Sequence, residues 1–78
     1  MDAAEEREDE LWDAGYLGCG ELVLQLKARL KAMQGGQLLK LIARDLGAPE
    51  DMPVWCKLTG HTLVKACHPE YWIRKKKG

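Results

Sequence analysis

The sequence predicts an α+β fold: a two-layer α/β sandwich in the order β-α-β-α-β-β, with a four-stranded mixed sheet and two helices on one face. Three observations predict it. The chain has 78 residues, enough for one domain. Two stretches carry apolar residues at helical spacing and are closed by glycine. Short apolar runs of strand length lie between and after them, the last two joined by a tight turn.

The first strand spans Glu10 to Ala14. Gly15 and Gly18 mark a loop with Cys19 at its end. From Glu21 to Met33 the pattern is helical: Leu22, Leu26, Leu30 and Met33 form a stripe that Val23 widens. Gln34-Gly35-Gly36 stops this helix, with a glycine suited to a left-handed cap. Gln37 to Arg44 reads as a strand, with Leu39, Leu41 and Ala43 on one face and Leu38, Lys40 and Ile42 on the other. So apolar a run belongs at the centre of a sheet. Asp45 is a candidate cap for the second helix and Pro49 suits its first turn, while Pro53 implies a distorted or short opening turn. That helix runs to Leu58 or Thr59, and Gly60 ends it. Thr62 to Cys67 and Tyr71 to Lys75 are strands, with His68-Pro69-Glu70 as a hairpin connection. Residues 1–8 read as a disordered acidic N-terminus and residues 9–76 as the domain.

The 12 basic and 12 acidic residues cancel. Acidic residues cluster from Asp2 to Glu10 and basic ones from Arg74 to Lys77, as solvated ends do. A nucleic-acid-binding domain shows a basic excess overall, so RNA binding is the weakest of the functional readings. The acidic start lacks the basic-then-apolar order of a secretory signal, and no apolar stretch is long enough to cross a bilayer. Three cysteines cannot all pair within one chain and none forms C-x-x-C, which fits the reduced thiols of the cytoplasm. A domain of this size has no room for both a core and a deep cleft. A carrier, adaptor or binding module is therefore expected over a multi-step enzyme.

The segment Leu11-Trp12-Asp13-Ala14-Gly15-Tyr16-Leu17-Gly18-Cys19-Gly20-Glu21-Leu22 resembles the entry motif of the TusA/SirA family, roughly Asp-Ala-x-Gly-Leu-x-Cys-Pro-x-Pro. Asp13, Ala14, Leu17 and Cys19 fall in place. Gly36, Asp45, Asp51-Met52-Pro53-Val54-Trp55-Cys56, Gly60-His61-Thr62-Leu63 and Tyr71 to Lys75 continue the resemblance over about residues 10–76. Cys-Gly-Glu-Leu stands where the family has Cys-Pro-x-Pro, so Gly20 and Leu22 replace both prolines. The resemblance implies a sandwich like the C-terminal domain of translation initiation factor three. It also implies a sulfur carrier, a sulfurtransferase-type protein that takes persulfide sulfur from a donor and hands it on. The implied donor is a cysteine desulfurase or rhodanese-like protein, and the acceptor is a second protein. No cofactor, metal or membrane is implied, and a monomer is expected. The competing reading is a non-catalytic interaction or regulatory module of the same fold.

Cys19 is the expected catalytic residue, with Asp13, Gly18, Gly20 and Glu21 supporting the loop and helix start. A thiol at a helix start meets unpaired N–H groups and a favourable dipole, which lower its pKa. Glu21 opposes this within the same turn. Gly18 and Gly20 leave the thiol open to a partner's sulfur, and Asp13 is expected to fix the loop by accepting backbone N–H bonds.

Cys56, on the second helix, is expected in the core, and Cys67 is read the same way. Cys56, His61, Cys67 and His68 lack the short paired spacing of a zinc site, so no metal is expected. His61 is expected to hydrogen-bond locally. Trp12 and Trp72 are expected to pack the core rather than form a partner surface.

Overall fold

The computed structural model describes residues 7–77. The expected disordered N-terminus lies, for residues 1–6, outside them. The elements are β1 (Glu10–Gly15), α1 (Cys19–Ala32), β2 (Leu38–Ala43), α2 (Ala48–Thr59), β3 (Thr62–Cys67) and β4 (Glu70–Arg74). This is the predicted order. The strands lie in the order β1-β2-β4-β3, so the apolar β2 is central as expected. β1 pairs parallel to β2, while β4 runs antiparallel to both β2 and β3. The sheet is therefore mixed, with β4 inserted between the strands that α2 connects.

Side-chain alternation sorts the two faces. Trp12, Leu39, Leu41, Tyr71 and Ile73 pack in one core with Leu22, Leu26 and Leu30 of α1 and Ala48, Met52 and Cys56 of α2. Each fully buried leucine of the α1 stripe contributes about 2 kcal/mol relative to exposure. Both helices thus cover the same face, as the stripes predict. Trp12 does pack the core, and Arg29 lies 4.4 Å over its ring. Trp72 points to the other face. It is buried beneath the ammonium groups of Lys40 and Lys65, at 5.1 and 5.0 Å from its ring centre.

Three local expectations change. α1 starts two residues early, at Cys19, and ends with Met33 extended rather than in a left-handed cap. Lys75 Nζ instead takes up its last carbonyls, donating to Leu30 O at 2.8 Å and Met33 O at 3.2 Å. Asp45 does not cap α2: the N-cap is Gly47, and Asp45 Oδ2 accepts the Gly47 N–H at 2.9 Å. This is a side-chain turn that precedes the helix and delays its start. Pro53 lies inside α2 without breaking it. It is exposed, so the bond it removes lies on a solvated turn. Gly60 ends α2 as predicted, at a φ of 89° that only glycine adopts without strain.

Candidate functional site

In a β-α-β chain each helix runs back against its strands, so the helix starts collect at the C-terminal ends of the parallel strands. Here the starts of α1 and α2 meet beyond the ends of β1 and β2. β1 delivers the chain there through an irregularity between Asp13 and Gly15. Asp13 Oδ1 accepts the Gly15 N–H at 2.9 Å, and Asp13 also lies 3.7 Å from Arg44. The Arg44 N–H donates to Gly15 O at 2.8 Å, which ties the loop to the end of β2. Gly18 is the N-cap of α1, and the Leu22 N–H donates to its carbonyl at 2.8 Å. Cys19 is then the first residue of α1, half-buried, with a free thiol.

The other expected site residues flank it. A Cβ added at Gly18 or Gly20 would meet nothing within 4 Å, so both sides of the thiol are open. Leu22, in place of the second motif proline, is fully buried and anchors the first turn of α1. Glu21 lies in that turn, and its Oε2 accepts from Gln25 Nε2 at 2.8 Å. Cys56 is buried as expected, and burial pushes its thiol up to about 11. Cys67 is exposed, contrary to expectation, because β3 is an edge strand whose residues are mostly uncovered. His61 bonds at long range, not locally: its Nδ1 accepts the Lys76 N–H at 3.1 Å.

Two carboxylates absent from the expected set complete the site. Cys19 Sγ donates to Asp51 Oδ2, on α2, and lies 3.6 Å from Asp45 Oδ2. Gly47 closes over the three groups. A Cβ there would sit 3.0 Å from Asp45 Oδ2, 3.2 Å from Asp51 Oδ2 and 3.6 Å from Cys19 Sγ. The hydrogen bond to Asp51, burial, and then the two negative charges push the Cys19 thiol up to about 12. The expected lowering by the helix start is overturned. A helix end is worth at most a kcal/mol or so, and hydrogen-bonded carboxylates outweigh it. Their distance in sequence from Cys19 hid them, although Asp45 and Asp51 both fall in the segments that carry the resemblance.

The thiol opens onto a shallow groove of about 380 Å³ between α1 and α2, lined also by Val23, Val54, Trp55 and Leu58. Val54 is 56% exposed and Leu58 80% exposed. Two further large apolar residues are exposed on the loops that lead into the helices, Tyr16 before α1 and Leu46 before α2. Among the described residues no group of three or more His, Cys, Asp or Glu side chains is arranged to hold a metal ion. No helix there is long and apolar enough to cross a membrane.

A small two-layer sandwich that presents a thiol to a groove where two helices start defines the class: a small α+β protein with a cysteine site at a helix start. The family model described as "Sulfurtransferase TusA" matches residues 12–75. Two relatives are each called "Sulfur carrier protein TusA". That of Pseudomonas putida (strain W619) is 38% identical over 72 residues, covering 87% of this chain and 90% of the relative. That of Pseudomonas paraeruginosa (strain DSM 24068 / PA7) is 39% identical over 72 residues, covering 87% and 91%. The chain belongs to the TusA sulfurtransferase family.

Proposed function

We propose that this protein is a sulfur carrier that holds sulfur as a persulfide on Cys19 and passes it from a donor protein to an acceptor protein. The observation that carries the reading is the position of Cys19, open at a helix start on a groove rimmed by exposed apolar residues. Family membership supports the chemistry. Three unpaired cysteines support work in the cytoplasm, where thiols stay reduced. The donor is of the cysteine desulfurase or rhodanese type.

Loading is a thiol exchange. The Cys19 thiol, which Asp51 holds protonated, first gives up its proton to solvent, and the thiolate attacks the outer sulfur of the donor persulfide. A sulfur–sulfur bond forms at Cys19 and the donor's bond breaks. The donor cysteine leaves as a thiolate and takes up a proton from solvent. The donor's sulfur is reduced as Cys19 is oxidised, so no further oxidant is needed. Unloading reverses the roles: an acceptor thiolate attacks the outer sulfur, and Cys19 leaves. A thiol of high pKa is a strong nucleophile once ionised, but it ionises rarely and leaves slowly. A cation from a partner set against Asp45 and Asp51 relieves both limits by lowering that pKa.

The direct test is incubation with a cysteine desulfurase and cysteine, followed by mass spectrometry. A gain of one sulfur atom that disappears in Cys19→Ser is expected. No gain from either a desulfurase or a rhodanese donor overturns the proposal. The carboxylate grip on the thiol favours one competing reading, a binding module that no longer transfers sulfur. It predicts partner binding unchanged in Cys19→Ser, with no sulfur gained by either form.

A further inference from the structure

The groove at Cys19 does not stop there. Cys19, Val23, Lys27 and Lys31 follow one another at four-residue steps, which places them on one face of α1. Asp51, Trp55 and Leu58 form the matching row on α2. Trp55 and Leu58 line both the groove at the thiol and a second hollow of about 510 Å³. That hollow is lined further by Lys27, Lys31, Lys76 and His61. Trp55 and His61 meet in that shared wall, with ring centres 5.6 Å apart and planes tilted by 30°.

Charge is graded along this track. The thiol end is acidic, with Asp45 and Asp51. The middle is apolar, with Val23, Trp55 and Leu58. The far end is basic. Lys76 Nζ is held there by Thr59 O at 2.9 Å. Among the described residues Lys27 and Lys31 have no hydrogen-bond or ion-pair partner. The helical rise puts Lys27 and Lys31 roughly 12 and 18 Å along the axis from Cys19. An extended chain covers that span in about four to five residues.

Resting on the reading of Cys19 as the sulfur site, we propose that this track docks an extended protein segment of the exchange partner. The segment carries its reactive cysteine beside a basic residue, then an apolar residue, then acidic residues about four or five positions from the cysteine. The order of charge on the segment mirrors the order on the groove. A nucleic acid fits the track poorly, since its phosphates would meet Asp45 and Asp51 at one end and apolar side chains in the middle.

Cysteine peptides activated as mixed disulfides with a chromogenic thiol test the proposal. One peptide has Arg beside its cysteine and Glu at the fourth and fifth positions beyond it; its control has Lys at those two positions. The rate of mixed-disulfide formation with Cys19 is read for both in a Cys67→Ser background, which removes the other exposed thiol, with a small persulfide that carries no other charged group as reference. The Glu peptide is expected to react about tenfold faster at low salt, the scale of electrostatic steering, and to lose that advantage at high salt. In the double variant Lys27→Gln/Lys31→Gln the preference disappears, and in Lys27→Glu/Lys31→Glu it inverts. The small persulfide loads all forms alike. Equal rates for the two peptides, or a preference untouched by the lysine variants, overturn the docking track. So does a uridine oligonucleotide that displaces the Glu peptide at equal concentration. If the small persulfide fails to load Cys19 in any form, the sulfur-carrier reading falls instead.

Discussion

At the scale of single residues, the three cysteines separate by surroundings rather than by type. Cys56 is buried in the core and Cys67 lies on an exposed edge strand, while Cys19 alone stands at a helix start between two carboxylates. That Cys19 opens a helix beside two glycines was legible in the sequence. Its grip by Asp45 and Asp51 was not, because those residues lie 26 and 32 positions away and only the folded chain joins them. The sign of the local electrostatics depends on exactly such long-range neighbours, and here they reverse it. Asp51 is the largest cause of the raised thiol. Asp51→Asn is therefore expected to speed alkylation of Cys19 at about pH 8, by roughly tenfold for each pKa unit recovered. Iodoacetamide kinetics on Asp51→Asn and on the wild type check this, and an unchanged rate would remove Asp51 from the account.

At the scale of elements, the helices were the most legible part. The stripe Leu22, Leu26, Leu30 is fully buried, and Gly60 ends α2 as its place in the sequence demands. The start of α2 was less legible: Asp45 is a typical capping residue, but here its carboxylate closes a turn and faces the thiol. Strand pairing was half legible. The hairpin of β3 and β4 follows from a short connection, whereas the insertion of β4 beside β2 is set by burial of Tyr71 and Ile73 against the helices. The first turn of α1 holds Gly20, which costs stability that no close approach requires. Gly20→Ala is expected to add about 0.5 kcal/mol, a rise in Tm of roughly 2–4 °C, with the thiol's alkylation rate unchanged. Thermal denaturation measures it, and a drop in Tm would show that glycine is needed there.

At the scale of the whole molecule, the basic C-terminal run, read in the sequence as a solvated end, is a clamp. Arg74 donates to Gly36 O at 2.8 Å, Lys75 closes the end of α1, and Lys76 reaches both Thr59 O at the end of α2 and the ring of His61. His61 accepts the Lys76 N–H only while Nδ1 is unprotonated. Burial, then the charges of Lys76 and Lys75, lower its pKa below the ordinary 6.5. The unfolded chain therefore takes up this proton first. The stability held by the neutral ring is complete above the ordinary value and is lost as pH falls through it toward the lower folded value. Urea midpoints are expected to fall between about pH 8 and pH 5.5, and less steeply in His61→Asn, whose amide oxygen still accepts. Equal slopes would leave His61 without a part in the clamp. The far side of the sheet has a consequence of its own. Trp72 lies there beneath Lys40 and Lys65, and Lys40 is also 3.8 Å from Glu70, so the ring is roofed by charged side chains rather than offered bare. A second copy would have to strip water from those charges to reach the ring, so the open face of the sheet keeps its own solvent layer.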